Sequence, residues 1–114
     1  MLECVFCRIA GHELPARVVD EDGEFMAFHD LHPVTPVHVL VIPKKHVDSL
    51  AQWSRGDPAL AGRLLIKVRD LAVELGVSES GYRLVINTGY EGGQTVSHLH
   101  VHLLGGRPMQ WPPG

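Results

Sequence analysis

Histidine alternates with an apolar residue through His98-Leu99-His100-Val101-His102-Leu103, and the run closes on Leu104. A period of two belongs to a β-strand. It puts three imidazoles on one face and Leu99, Val101 and Leu103 on the other. Imidazole titrates near neutral pH and is often only partly buried. Three in a row on one strand face are costly unless they bind something. The two obvious partners are a metal ion and an anion such as phosphate.

The chain has 114 residues, 45% of them apolar, which fits a single domain over 1–114 with one core. No apolar stretch approaches the length of a membrane span, so no membrane partner is expected. The start Met1-Leu2-Glu3-Cys4 lacks the basic opening and apolar run of a signal peptide, and a cytoplasmic location is the default expectation. Net charge is −3, from Lys+Arg 10 against Asp+Glu 13. That argues against a nucleic-acid polymer, which needs a basic stripe, and leaves a small phosphorylated ligand open.

The element pattern is that of one α+β domain. Residues 5–10 read as a short helix ended by Gly11. Residues 17–20 and 24–29 read as strands joined by a turn, and Pro33 and Pro36 make 30–37 a loop. Residues 38–42 form a strongly apolar strand that stops at Pro43. The clearest helix covers 58–75, with Asp57 as N-cap, Pro58 at its first position and Gly76 at its stop. Leu60, Leu64, Val68, Leu71 and Leu75 make its core stripe, while Arg63, Lys67, Asp70 and Glu74 lie on the wet face. Strands follow over 82–87 and 99–104. Five strands and one long helix with short connections predict a mainly antiparallel sheet.

Two further features bear on chemistry. Between the last two strands, Gly89, Gly92 and Gly93 allow backbone N–H groups close to an anion, and Gln94, Thr95 and Ser97 add side-chain donors. Glycines alone favour an ordinary hairpin loop; the adjoining histidines reverse that preference toward a phosphate site. Cys4 and Cys7 stand in Cys-x-x-Cys spacing, which suits one edge of a tetrahedral zinc site. Two free thiols, or a redox pair, are the alternatives. Lys44-Lys45 reads as a solvated pair at a strand end.

Taken in order, the segments Cys4-Val-Phe-Cys-Arg-Ile-Ala-Gly, Ala27-Phe-His-Asp-Leu-His-Pro, Pro36-Val-His-Val-Leu-Val-Ile-Pro-Lys-Lys-His46, Arg83-Leu-Val-Ile-Asn-Thr-Gly and Gly92-Gly-Gln-Thr-Val-Ser-His98 lead into the histidine run. This order resembles the histidine-triad (HIT) family of nucleotide hydrolases and transferases over nearly the whole chain. The ending Gly105-Gly-Arg-Pro-Met-Gln-Trp-Pro-Pro-Gly114 resembles its Hint branch of purine nucleoside phosphoramidases.

The resemblance implies a histidine-triad fold in a homodimer, with His100 as nucleophile and His102 and His38 as donors to the phosphate oxygens. It places Asn87, Gly93 and Val96 in the phosphate cradle, Asp30 on the ribose hydroxyls beside Leu31, and Phe6, Ile9 and Phe28 around the purine. Trp111 would reach toward the partner's site. Thr95 stands where the branch usually has a serine that helps protonate the leaving amine; threonine keeps the hydroxyl but is stiffer. The resemblance also implies a zinc ion on Cys4, Cys7, His46 and His98, closed to substrate and therefore structural. Two other readings stay open: a dinucleoside polyphosphate hydrolase using the same His100, and a nucleotide-binding or scaffold protein with residual activity.

Overall fold

The computed structural model describes residues 4–53 and 57–114. The sequence reading made at Met1, Leu2 and Glu3 lies outside the described residues. The elements in chain order are helix α1 (Val5–Ala10), strands β1 (Val18–Glu21), β2 (Phe25–His29) and β3 (Val37–Pro43), helix α2 (Pro58–Glu74), and strands β4 (Tyr82–Val85) and β5 (Val101–Gly105), with one 3-10 turn at Leu50–Gln52. The strands form a single sheet in the order β1-β2-β3-β5-β4. Every neighbouring pair is antiparallel. The α+β architecture is the one expected, with one long helix and a short N-terminal one.

Local chemistry explains α2. The Asp57 side chain accepts from the Leu60 N–H (3.3 Å), and Pro58 occupies the first turn, where its missing N–H is not needed. At the other end Gly76 adopts φ +77°. The Val77 N–H then reaches back to Ala72 O and the Gly76 N–H to Val73 O, which is a Schellman closure. Leu64, Val68, Leu71 and Ala72 are buried, with Leu60 and Leu75 packed beside them. Leu75 caps the helix rather than belonging to it. Lys67 is not simply wet: it bridges Asp20 (2.8 Å) and Asp22 (2.9 Å), while Arg63 holds both carboxylate oxygens of Glu24. These pairs tie α2 to the β1–β2 hairpin.

The pleat separates two cores. Phe25, Ala27, Val39, Val41, Leu99, Val101 and Leu103 point toward α2. Met26, Phe28, Leu40 and Ile42 point the other way and pack with Phe6 of α1. The histidines share the parity of this second set, so the whole array emerges on the α1 side.

The last strand begins later than the alternation predicts, at Val101 instead of 99. Its register pairs Val41 with Val101, which would set Pro43 opposite Leu99. Proline has no N–H to donate. The Leu99 N–H instead donates to Val47 O (2.7 Å), and the chain leaves the sheet there. The side chains keep their alternation: Leu99 stays in the α2 core, and His98 and His100 are buried on the opposite side. Strand β4 likewise stops at Val85 rather than 87.

Candidate functional site

Each histidine near β5 has its ring orientation set by a named partner. The Nδ1–H of buried His100 donates to the backbone carbonyl of His98 (2.7 Å). A carbonyl can only accept, so Nδ1 carries the proton and Nε2 keeps its lone pair. His100 lines an apolar cavity of about 310 Å³. The Val34 N–H donates to His38 Nδ1 (3.1 Å), which leaves the proton of that ring on Nε2, and this proton goes to His102 Nδ1 (2.9 Å). His102 is thereby left with a proton on Nε2, and it too lines the cavity. His38 is buried behind it and outside the cavity wall, so its Nε2–H, expected to meet a phosphate oxygen, is directed to His102 instead, with Asp30 Oδ2 at 3.4 Å as a second neighbour.

Electrostatics agrees with neutral rings at His38 and His102. Burial first, and then the neighbouring His100 and His38, pull His102 down to about 4. Burial also holds His38 below the ordinary histidine range, opposed by the Asp30 carboxylate. Asp30, His38 and His102 cluster closely enough to suggest a cation site. A metal on His38 Nε2 would need the proton on Nδ1, where the Val34 N–H already points.

The second cluster is built differently. Cys4 Sγ lies 3.3 Å from His98 Nδ1, Cys7 Sγ lies 3.6 Å from the same atom, and Cys7 Sγ lies 3.1 Å from His46 Nδ1. The opposite nitrogen of each ring is a donor: His98 Nε2–H to Pro43 O (2.8 Å) and His46 Nε2–H to Asp48 Oδ1 (2.6 Å). Both rings therefore turn Nδ1 toward sulfur, His98 toward Cys4 and Cys7 and His46 toward Cys7. Zn–S and Zn–N bonds in a tetrahedron imply ligand–ligand edges of about 3.5 Å, and the observed edges bracket that value. Outer partners that fix the tautomer are the usual support of such ligands. Burial and the adjacent Cys4 push the Cys7 thiol up to about 11, so loading a cation displaces protons and depends on pH. Burial also keeps His98 below its ordinary value.

A model of the HIT domain matches residues 11–109. The chain belongs to the HIT domain family. It is 50% identical over 112 residues to an uncharacterized HIT-like protein of Synechocystis sp., covering 98% of this chain and 97% of that one. A crystal structure of a HIT family hydrolase from Legionella pneumophila superimposes with a TM-score of 0.96 at 50% identity, covering 98% of this chain and 100% of the other. A Zn-bound histidine triad family protein from Mycobacterium smegmatis aligns at 33% identity and TM-score 0.78, covering 93% of this chain and 76% of that one.

The cavity of this HIT domain gathers Phe6, Ile9, Phe28, Asp30, Leu31, Thr95 and Val96 with His100 and His102. Asn87, Gly93 and Trp111 are not in its wall. Asn87 Nδ2 donates to Gly92 O (2.7 Å), and Trp111 is 82% exposed near the chain end. In the glycine-rich loop, the Gly93 N–H is engaged by Tyr90 O and the Gln94 N–H by Gly89 O. The Gln94 side chain is fully occupied as well: Oε1 accepts from Gly89 N–H, and Nε2 donates to Asp48 O and Val96 O. Gln94 is thus a strut and not a free donor. Of the residues of this loop, Thr95 and Val96 are the ones in the cavity wall, so theirs are the loop amides adjacent to an anion held there. Gly92 is required by space, since a Cβ there would meet Thr88 O at 2.3 Å. Sequence reasoning missed Arg17 and Leu40 in the cavity wall and left His29 and His32 without a role. The pairing of Leu40 with both Phe28 and His102 puts it there, and the sequence carries no separate signal for that.

Proposed function

We propose that this HIT domain is a nucleotide hydrolase that cleaves the P–N bond of purine nucleoside 5′-phosphoramidates through a nucleotidyl-His100 intermediate. The observation that carries the reading is the Nδ1–H bond from His100 to His98 O, which leaves an Nε2 lone pair on a cavity-lining histidine. Similarity to a HIT family hydrolase supports it.

In the first step Nε2 of His100 bonds to the α-phosphorus and the P–N bond breaks. The departing amine takes its electron pair and a proton, for which the Thr95 hydroxyl is the nearby relay. In the second step water attacks the same phosphorus, the P–His100 bond breaks, and a nucleoside monophosphate leaves. His102 Nε2–H and the amides of Thr95 and Val96 meet the oxygens on which charge builds. His38 acts through His102 by holding its tautomer. Asp30 receives the ribose hydroxyls, and Phe6, Ile9 and Phe28 flank the base. Cys4, Cys7, His46 and His98 hold zinc as a closed, structural site, in keeping with the Zn-bound relative. A cytoplasmic homodimer, with Trp111 of each chain near the other's cavity, completes the proposal.

Enzyme mixed with an adenosine phosphoramidate and quenched without acid should gain one nucleotidyl mass on the peptide holding His100. Absence of the adduct at substantial turnover would reject the covalent route. Faster turnover of diadenosine polyphosphates than of phosphoramidates would reassign the leaving group to a nucleotide.

A further inference from the structure

The Cys/His cluster and the cavity share structural parts. Helix α1 has six residues, and Cys4 caps it by accepting from the Cys7 N–H (3.3 Å). So short a helix is not stable by itself and takes its position from what it packs against. Its sulfurs face His46 and His98, while Val5, Phe6 and Ile9 line the cavity. Phe6 sits between the two cysteines in sequence. Its ring stands edge-on to His98 (5.9 Å) and to His100 (5.2 Å).

His98 is a second shared part. Its imidazole belongs to the cluster, and its carbonyl takes the Nδ1–H of His100. Gln94 is a third: it joins Asp48, whose carboxylate holds His46, to Gly89 and Val96 of the anion loop. Closing the cluster around a cation therefore fixes one cavity wall, the backbone that orients the attacking ring, and one end of the loop.

We infer that a cation on Cys4, Cys7, His46 and His98 and a nucleotide in the cavity bind with positive coupling, with Phe6 and His98 as positioning residues for His100. The inference rests on the nucleotide and zinc readings above and goes beyond a purely structural ion. Thermodynamic linkage requires the effect to be reciprocal.

The test measures zinc affinity by chelator competition, with and without saturating AMP, and AMP affinity of the zinc-loaded and zinc-stripped protein. Zinc should bind about fivefold or more tighter with AMP present, and AMP should gain by the same factor. Phe6→Leu keeps an apolar wall but removes the ring between the two sites, and should bring the coupling toward unity. If stripping unfolds the chain, the cobalt(II)-loaded protein serves instead: AMP should shift the cobalt absorption bands in the parent and much less in Phe6→Leu. AMP that binds while leaving zinc affinity or the cobalt bands unchanged overturns the inference alone. Failure of the loaded protein to bind AMP overturns the nucleotide reading and the inference with it. Failure to bind zinc overturns the zinc reading in the same way.

Discussion

The two faces of the sheet are made by the same strands and are stabilised in different ways. Toward α2, Val39, Val41, Val101 and Leu103 are fully buried and make an aliphatic core. Its stability comes from area removed from water and from tight packing, neither of which needs a particular partner atom. Toward α1, the same strands and the segment leading into β5 bury His38, His98 and His100. Burying a polar ring is unfavourable unless its nitrogens are bonded. Here each nitrogen facing protein has a named partner, and among the described residues no buried side-chain polar atom is left without one. The aliphatic face tolerates exchange of one apolar group for another of similar size. The histidine face is specified atom by atom, and that specification is what leaves the Nε2 lone pair of His100 unbonded.

Breaking this contrast at its most sensitive atom gives the largest effect. His100→Gly should abolish the covalent adduct and nearly all turnover, while nucleotide binding persists through Asp30, His102 and the loop amides. Single-turnover mass analysis and equilibrium binding check the two halves. On the other face, next in sequence to His102, Leu103→Ala should destabilise the fold by ~2–5 kcal/mol. Its kcat below the unfolding transition should stay near the parent's, a split that denaturant melts and kinetics on one sample resolve. His102→Ala should lower kcat about 10²–10³-fold, or ~2.7–4 kcal/mol, with a smaller loss of stability. Asp30→Ala should weaken ribonucleotide binding by ~1.5–3 kcal/mol, about ten- to a hundredfold, and a deoxyribose analogue much less. Equal losses for both sugars would take Asp30 off the ribose.

The smallest effect is a pH dependence confined to the histidine face. His102 has a folded value of about 4 against an ordinary 6.5, so the unfolded chain binds more protons in between. Its contribution to stability is complete above 6.5 and is lost as pH falls toward 4. His38, also lowered, acts in the same direction. Melting temperature should therefore fall on acidification already above the glutamate range. His102→Asn should flatten that slope, and Leu103→Ala should lower the curve without changing its slope there.

Residues near one another in the chain made much of this legible in advance. Asp57, Pro58 and Gly76 bound α2 because capping is local chemistry. The alternation from His98 to Leu104 predicted two faces because the pleat has a period of two. The strand boundary at Val101 was not legible, since it depends on Pro43 coming opposite Leu99. Nor were Gln94 and Asn87, read as donors toward a ligand. Their amides face backbone carbonyls of the loop and of Asp48 once the chain has folded.

By itself the sequence determined the order of elements, the parity that sends every triad histidine to one side, and the residue types able to hold a cation or attack phosphorus. Tertiary structure alone decided which nitrogen of His98 and of His102 carries the proton. His98 is set by Pro43, 55 positions away, and His102 by His38, 64 positions away, whereas His38 and His100 take theirs from nearby backbone at Val34 and His98. A ring's tautomer follows from the acceptor or donor placed against it, and for His98 and His102 that partner is chosen by the packing of distant segments rather than by the spacing of neighbours.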